Sequence, residues 1–320
     1  PYMPNSAPEN KKAMLDELGI NSVEDIYKSI IPDELLYKER LDIPEPIRSE
    51  YELKRHVMGI LNRDITTEEY TSFLGAGCYK HQVPAICDEI NSRGEFLTAY
   101  CGDTYSDHGK MQAIFEYTSM MGELLDTDVV SYTTYDGGQA VASSLRMAVR
   151  AVREKGMAGK VILVPKTMNP EIYSQVVQYC RNVAEVRKIA YEPETGLMDL
   201  EELKEQLAKK NVAAVFFENP TYLGNFETRG EEIAKLAHDA GAYCVVQTEV
   251  AALGIMESPV NQGADIVCGD IQPLGMHIQF GGGQAGFIAC NQNMDLVEQF
   301  PTYMYGITET EKEDTYGWGR

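Results

Sequence analysis

Residues 212–246 have the sequence VAAVFFENPTYLGNFETRGEEIAKLAHDAGAYCVV, and this stretch decides the fold class. Two short apolar runs, Val212–Phe217 and Ala242–Val246, have the length and the β-branched and aromatic content of buried strands. Between them, Glu231–Ala240 carries apolar residues at helical spacing. A strand, a helix and a second strand in this order predict a right-handed unit whose two strands are parallel.

The same alternation extends to both sides of this unit. Strands and helices with short connections are typical of a mostly parallel sheet that is covered by helices on both faces. The further predicted helices are Met111–Leu125, Gln139–Arg153, Pro170–Cys180 and Leu200–Ala208, and the further strands are Val129–Thr133, Lys160–Val164, Ile266–Cys268 and Ala285–Cys290. The predicted class is therefore α/β, with functional side chains at the carboxyl ends of the strands.

Three segments of different character divide the 320 residues. Residues 1–70 are polar and predict an arm of short helices, with a capped helix start at Asn21–Asp25 and a second helix over Ile47–Leu61. Residues 71–300 hold the alternating elements and form the predicted large domain. Residues 301–320 contain no predicted closing element, and we expect them to begin a C-terminal small domain that is cut short.

Composition narrows the possible functions. A net charge of −21 disfavours nucleic acid as a partner, because nucleic-acid binding requires Lys/Arg patches. No apolar run approaches the roughly 20 residues that cross a bilayer, and no apolar signal core occurs, so we expect a cytoplasmic protein without a membrane partner. The seven cysteines include no CxxC pair, which disfavours both a metal site and a disulfide framework. The common hydrolase, zinc-protease and P-loop motifs are also absent.

Three glycine-containing stretches are candidates for ligand binding. Phe73–Tyr79 fits a tight turn better than it fits a dinucleotide fingerprint. Tyr135–Ala140 lies between a predicted strand and a predicted helix, where free N–H groups at a helix N-terminus bind phosphate, although a plain connecting loop has the same pattern. Gly281–Gly283 indicates either a close approach of the backbone to a ligand or a flexible turn.

A polar and aromatic stretch, Tyr100–Gly109, precedes the helix predicted from Met111. An acid/base pair or half of a metal site is one interpretation of Asp107 and His108. Adjacent residues do not point the same way in regular structure, which favours a substrate-facing or interface loop instead. His277 also stands out because it follows a predicted strand end, although a structural histidine is the alternative.

Six stretches occur in an order that resembles a known family. They are Phe73–Tyr79, Thr98–Tyr100, Met111–Tyr117, Tyr135–Gly137, Gly263–Gly275 and Phe280–Gly283. Together they resemble the glycine decarboxylase P-proteins of the glycine cleavage system, specifically the alpha subunit (subunit 1) of the two-chain form. The similarity runs from the N-terminal arm to about residue 300.

This resemblance implies the fold-type-I architecture of PLP-dependent transferases for the large domain, and an alpha–beta heterodimer that is itself doubled. The family decarboxylates glycine and transfers the aminomethyl group to a lipoyl carrier, the H-protein. In the family the beta subunit (subunit 2) binds PLP as a lysine Schiff base, and the alpha subunit shapes the shared site. PLP is therefore expected on the partner subunit and not covalently on this chain.

The residues agree with such a degenerate copy. A PLP enzyme needs a lysine for the Schiff base and usually an Asp that faces the pyridinium nitrogen. By register with the glycine run, the lysine position falls on Leu274, and Gly269–Gly283 contains no lysine. Gln247-Thr248-Glu249 stands where the Asp would end the preceding core strand. An enzyme that works alone is therefore disfavoured.

The resemblance and the placement of the loops together predict the site residues. Those expected to face the shared site are Tyr79, Tyr100, Tyr105 and His108, and those expected to form a vestigial phosphate cradle are Asp136, Gly137 and Gly138.

Three alternatives stay open. Cys101–Gly109 departs from the family, which usually has a Pro-containing stretch ending in Ser-Gln-Gly here, so a paralogue acting on another small amine or amino acid is one. The second is a lysine-free enzyme that holds PLP or its amine form noncovalently and uses His277 as base. The third is a structural or regulatory partner without catalytic residues.

Overall fold

Two units make up the computed structural model, Pro1–Tyr70 and Thr71–Arg320. It describes residues 4–73, 75, 79–97, 108–281 and 284–319. The described part of the first unit contains the helices α1 (Pro8–Glu17), α2 (Glu24–Lys28) and α3 (Glu50–Leu61). None of residues 5–70 is buried. This unit is therefore an arm of short helices without a core of its own in its described residues.

Side-chain hydrogen bonds lie at the starts of two helices in the arm. The helix predicted over Ile47–Leu61 begins only at Glu50, because the Ser49 hydroxyl accepts a hydrogen bond from the N–H of Glu52 at 3.3 Å. Ahead of α2, the Asp25 carboxylate accepts hydrogen bonds from the N–H groups of Asn21 and Ser22 at 3.1 and 3.0 Å. These bonds satisfy N–H groups that have no partner within a helix.

A seven-stranded sheet forms the centre of the described part of the second unit. Its strands are β1 (Val129–Val130), β2 (Val161–Pro165), β3 (Glu185–Ile189), β4 (Val212–Asn219), β5 (Tyr243–Thr248), β6 (Ile266–Asp270) and β7 (Gly286–Cys290). Their order across the sheet is β1-β7-β6-β5-β4-β2-β3. Strand β7 runs antiparallel to β6 and β1, and the other neighbouring pairs are parallel. The mostly parallel α/β fold predicted from the sequence is confirmed.

Helices cover both faces of this sheet. The helices of the second unit are α4 (Ala85–Asn91), α5 (His108–Leu125), α6 (Gly137–Glu154), α7 (Pro170–Cys180), α8 (Leu200–Leu207), α9 (Gly230–Asp239) and α10 (Met294–Val297). One core layer packs α6, α7 and α10 against the strands, and the other packs α5, α8 and α9 against them. Full burial of a Leu or Ile such as Leu145 or Ile233 stabilises the fold by about 1.5–3 kcal/mol. None of the described helices has the length and apolar content to cross a membrane.

The structure contains elements that were not predicted from the sequence. Strand β3 was not predicted, because it lies at the sheet edge and carries Glu185, Arg187 and Lys188 on its exposed or half-exposed positions. The expectation of no closing element after residue 300 was wrong. Strands β8 (Gly306–Glu309) and β9 (Tyr316–Gly319) form an antiparallel hairpin, which packs on α5 through Trp318 and Phe115, with ring centroids 5.1 Å apart.

Candidate active site

A cleft of about 1240 Å³ opens at the carboxyl ends of β4, β5 and β6, beside the N-terminus of α6. Parallel α/β sheets bind ligands at this edge. Part of its polar lining comes from the strand ends, because β4, β5 and β6 each continue past their apolar runs into polar residues. The residues that line the cleft include Tyr79, Asp136, Gly137, Gly138, Glu171, Glu218, Gln247, Glu249 and Asp270.

The N-terminus of α6 has the geometry of a phosphate cradle. Asp136 caps the helix and accepts a hydrogen bond from the N–H of Gln139 at 2.5 Å, and the Gln139 side chain accepts one from the N–H of Tyr135 at 2.8 Å. A Cβ on Gly137 would lie 3.0 Å from the Cβ and the N of Asp270. The end of β6 therefore approaches the helix start so closely that only glycine fits without a shift.

The cradle is occupied by a side chain of the protein itself. The Gly137 N–H donates a hydrogen bond of 3.0 Å to the Asp270 carboxylate. Asp270 also accepts a bond of 2.7 Å from the N–H of Gln272, which holds the carboxylate at the end of β6. Burial raises the pKa of Asp270, and these two N–H donors oppose that rise. A negative side chain thus stands where a phosphate would bind.

Negative charge dominates the rest of the cleft. Its carboxylates are Asp136, Glu171, Glu218, Glu249 and Asp270, and no lysine, arginine or histidine is among the described residues that line it. Burial raises the pKa of Glu249, and the nearby charge of Asp270 adds to that rise. The dianionic phosphate of a cofactor would meet like charges without a cation to offset them.

Glu218 is the most buried of these carboxylates, at 5% exposure. It lies next to the end of β4 and accepts hydrogen bonds from the N–H groups of Asn169 (3.1 Å) and Tyr222 (3.3 Å). Burial raises the pKa of Glu218 to about 7, although both N–H donors act in the opposite direction. The side chain therefore joins three segments at the cleft floor and titrates close to neutral pH.

The positions that would hold PLP do not carry its usual partners. Leu274, at the predicted lysine position, ends a short 3₁₀ turn after β6; it has no amine and is 51% exposed. Near the end of β5, the Gln247 Oε1 atom is buried and has no hydrogen-bond partner among the described residues. A pyridinium nitrogen would find a neutral amide there instead of a carboxylate. With Asp270 in the cradle, these residues do not fit PLP.

His277 does not reach the cleft in the described structure. Its Nε2 lies 2.9 and 3.1 Å from the two carboxylate oxygens of Asp88 on α4, and it is not among the lining residues. The other described histidine in this region, His81, contacts the backbone carbonyl oxygens of Tyr79 and Met276. The geometry thus gives no support to His277 as a base that replaces the lysine.

Some of the predicted site residues lie together in the cleft, and others do not belong to the described residues. Tyr79 lines the same cleft as Asp136, Gly137 and Gly138. Tyr100 and Tyr105 lie outside the described residues, and His108 begins α5 with its side chain outside the description. No group of metal-ligating side chains occurs in the ranges that the structure describes.

Sequence reasoning missed the roles of Glu218 and Asp270. Glu218 follows directly on the predicted strand Val212–Phe217, and Asp270 follows the predicted strand Ile266–Cys268 after one glycine. A polar residue at the carboxyl end of a predicted parallel strand is the signal that could have identified them. The contact of Asp270 with Gly137 joins residues that are far apart in the sequence, and only the fold reveals it.

Comparison with known proteins identifies the family. A family model described as the glycine cleavage system P-protein matches residues 2–316. A probable glycine dehydrogenase (decarboxylating) subunit 1 from Pyrococcus horikoshii is 38% identical over 310 residues, covering 96% of this chain and 67% of the relative. The protein of the same name from Carboxydothermus hydrogenoformans is 37% identical over 318 residues, covering 99% of this chain and 68% of the relative.

Solved structures agree with the sequence comparison. A crystal structure of glycine decarboxylase (P-protein) of the glycine cleavage system, in inhibitor-bound form, matches with a TM-score of 0.81 at 32% identity, covering 99% of this chain and 68% of that chain. A sphingosine-1-phosphate lyase from Burkholderia pseudomallei matches at 14% identity with a TM-score of 0.58, over 91% of this chain and 68% of that chain, and shares the fold alone. The fold is that of the fold-type-I PLP-dependent enzymes, and the chain belongs to the glycine cleavage system P-protein family.

Proposed function

We propose that this chain is the alpha subunit of a glycine decarboxylase and that the PLP of the complex is carried by a partner beta subunit. The observation that carries the proposal is the hydrogen bond from the Gly137 N–H to the Asp270 carboxylate, in a cleft whose lysine position is Leu274. The cleft keeps its place in the fold but has lost the groups that bind the cofactor. Its remaining function is therefore to complete an active site whose PLP is bound by another chain.

Electrostatics supports the exclusion of the cofactor from this chain. A helix N-terminus binds phosphate through free N–H groups and its positive dipole end. Here the Gly137 N–H already has an anionic partner, and Asp136 caps the N–H of Gln139. Two like charges about 4 Å apart repel by about 4 kcal/mol at an effective dielectric constant of about 20. That penalty exceeds what a single helix end contributes.

The names of the relatives support a partner of the same family. Each relative reported above is a subunit 1, which implies a subunit 2. The arm also supports the presence of a partner chain. Its large apolar side chains Ile30, Leu35 and Ile65 are more than two thirds exposed, and exposed apolar surface is typical of interaction sites. A lipoyl carrier H-protein as acceptor of the aminomethyl group, glycine as substrate and a location in the cytoplasm complete the proposal.

Within the assembled complex, we assign the pocket-shaping role to Tyr79, Tyr100, Tyr105 and His108. Tyr79 is the described member of this set and lines the cleft with its side chain 47% exposed. Replacing Tyr79 by Phe in the complex is expected to change the KM for the amino acid. Tyr135→Phe is the matched control, because Tyr135 is 86% exposed and does not line the cleft.

The decisive experiment measures where PLP binds. The chain is incubated with PLP alone and together with the beta subunit, treated with borohydride, and mapped by peptide mass. PLP fixed only to a lysine of the beta subunit, with glycine decarboxylation only in the mixture, is the expected result. Tight PLP on the isolated chain would overturn the assignment. Assays with other small amino acids in the same mixture separate glycine from a paralogous substrate.

A further inference from the structure

Two arginines lie one turn apart in the second half of α6. Arg146 and Arg150 are both half-buried, and their spacing of four residues places them on the same face of the helix. At a rise of about 1.5 Å per residue, they lie about 14 and about 20 Å along the helix from Gly137. The pair is therefore separate from the cradle at the start of α6.

Neither of these arginines forms an ion pair among the described residues, whereas other arginines of the chain pair with carboxylates. The Arg146 Nε atom is buried and has no hydrogen-bond partner in the described part of the chain. The Arg150 Nε atom donates a hydrogen bond of 2.8 Å to the Gln299 side chain, and Nη2 donates to the Gln299 backbone carbonyl. These acceptors are neutral, so they fix the Arg150 guanidinium without neutralising its charge.

The two positive charges act on each other. Burial lowers the pKa of Arg150 and the like charge of Arg146 lowers it further, whereas Glu154 acts in the opposite direction. Gln299, which is 8% exposed, donates a hydrogen bond of 2.9 Å to Glu154, so a neutral amide links this carboxylate to Arg150. Like charges four residues apart destabilise a helix. An anion that contacts both guanidinium groups would offset this repulsion.

The neighbouring helix α7 forms part of the surroundings of Arg146. Burial raises the pKa of the Cys180 thiol to about 11 and the charge of Arg146 opposes that rise, which places Arg146 near the end of α7. A Cβ on Gly138 would lie 2.6 Å from the Gln175 Oε1 atom, so Gln175 faces α6. Tyr179 lies four residues after Gln175 on the same face and is 37% exposed. An exposed tyrosine is thus on the side of α7 that faces α6.

The chemistry of these side chains defines the ligand. A guanidinium keeps its charge and binds carboxylate or phosphate oxygens through paired N–H donors. Arginine and tyrosine also supply much of the binding energy in protein interfaces, which favours an oxyanion that belongs to another chain. The chain has 49 acidic side chains against 28 basic ones, so most of its surface repels a carboxylate. The face with Arg146 and Arg150 is one to which a carboxylate is attracted.

We propose that Arg146 and Arg150 bind a carboxylate side chain of the partner beta subunit and so orient the two subunits. The identity of the partner rests on the proposed function, whereas the oxyanion site itself does not. A charge pair across an interface fixes its register, because a wrong arrangement leaves desolvated charges without partners.

The test compares the assembly of the full chain with the beta subunit in the wild type and in Arg146→Gln. We expect the Kd to rise by at least about tenfold and to depend less on salt, because removing one member of a partly buried interfacial charge pair has effects of this size or larger. Arg153→Gln is the matched control. Arg153 is exposed on the same helix and donates to the Val183 carbonyl, so its substitution should leave the Kd unchanged. An unchanged Kd for Arg146→Gln would overturn the proposal.

Thermal unfolding of the isolated chain shows whether the arginine stabilises this chain instead. Arg146→Gln should unfold at the wild-type temperature or above it, because the variant removes a like charge beside Arg150. Unfolding at a lower temperature, with an unchanged Kd, would mean that the chain supplies its own carboxylate, and it would contradict the proposal. Arg146→Lys keeps the charge without the paired donors and should raise the Kd by a smaller factor. This second variant decides the matter if Arg146→Gln does not fold.

Charge reversal and a free anion distinguish the two sources of an oxyanion. Arg146→Glu should prevent assembly, and one substitution of an acidic residue by arginine in the beta subunit should restore it. Inorganic phosphate is titrated against the isolated chain as the alternative ligand. If phosphate raises the unfolding temperature of the wild type but not of Arg146→Gln, and both have the same Kd for the beta subunit, the site binds a free anion and the partner assignment is wrong.

Glycine decarboxylation separates this proposal from the proposed function. A complex that assembles through Arg146 but decarboxylates no glycine would contradict the proposed function alone. An Arg146→Gln complex that assembles and decarboxylates glycine like the wild type would contradict the arginine site alone.

Discussion

The Asp270 carboxylate accepts a hydrogen bond of 3.0 Å from the backbone N–H of Gly137, so a side chain of the protein occupies the anion position at the start of α6. The Cβ and the backbone N of Asp270 approach Gly137 so closely that a Cβ there would lie 3.0 Å from each. The start of α6 has the geometry of a phosphate cradle, and a negative side chain occupies it. Four predictions concern this contact and the elements that hold the cleft.

Asp270→Asn should increase the affinity of the chain for a phosphate ligand. The substitution keeps an acceptor for the Gly137 N–H and removes one negative charge from the cradle. We expect noncovalent binding of PLP to tighten by about tenfold, equivalent to about 1.4 kcal/mol, measured by isothermal titration calorimetry. Asp199→Asn, which removes a helix-capping carboxylate from α8, is the control and should change nothing. Equal affinities for the Asp270 variant and the wild type would mean that the carboxylate does not exclude phosphate.

Glu218→Gln should stabilise the chain at alkaline pH. Because burial raises the pKa of Glu218 from 4.5 to about 7, the cost of its buried charge is absent below about pH 4.5 and complete above about pH 7. The variant keeps an acceptor for the N–H groups of Asn169 and Tyr222 and avoids that cost. We expect a gain of about 2 kcal/mol in the free energy of unfolding at pH 8, vanishing near pH 4.5, from urea titrations.

Glu171→Gln provides the control for this pH dependence. Glu171 lines the same cleft but is exposed, so its substitution should change the free energy of unfolding little at either pH. An equal gain at both pH values for Glu218→Gln would rule out the titration of its carboxyl as the cause.

Glu227→Gln should have the opposite effect to Glu218→Gln. The Glu227 carboxylate, 2% exposed, is paired with the Arg229 guanidinium at 3.1 Å and also accepts a hydrogen bond from the N–H of Met198 at 3.0 Å. Removing the charge leaves Arg229 without one of its carboxylate partners. We expect a loss of about 2 kcal/mol in the urea unfolding free energy at pH 7. Glu231→Gln, at the exposed start of α9, should be neutral, and a neutral Glu227→Gln would contradict a stabilising pair.

Gly286→Ala should destabilise the chain and disturb the Asp136 loop. A Cβ on Gly286 would overlap the Asp136 carbonyl oxygen and the Thr134 hydroxyl. Gly286 also exchanges two backbone hydrogen bonds with Thr134, at 2.9 and 3.0 Å, which an outward shift would break. We expect a loss of at least about 2 kcal/mol, measured by thermal unfolding. Gly306→Ala, in strand β8 with open space around it, is the matched control, and equal effects would refute the steric explanation.

The repeating elements of the large domain could be predicted because each is a local pattern. Helix α7 begins and ends at the predicted residues, since Asn169 caps it and Pro170 starts it. Strands β4, β5 and β6 were predicted too short, because their ends carry polar residues such as Asn219, Thr248 and Asp270. Polar strand ends do not have the apolar pattern of a strand, yet they face the cleft and form the site.

The sequence by itself determined the fold class, the family resemblance, the absence of a lysine at position 274 and the glycines before α6, because each is a matter of residue type and local spacing. The tertiary structure decided that Asp270 occupies the cradle, that the buried Gln247 Oε1 has no hydrogen-bond partner in the described part of the chain, and that His277 binds Asp88 outside the cleft. These facts depend on contacts between residues far apart in the chain. Such contacts arise only when the packed sheet brings the carboxyl ends of its strands together, and no local pattern encodes their distances.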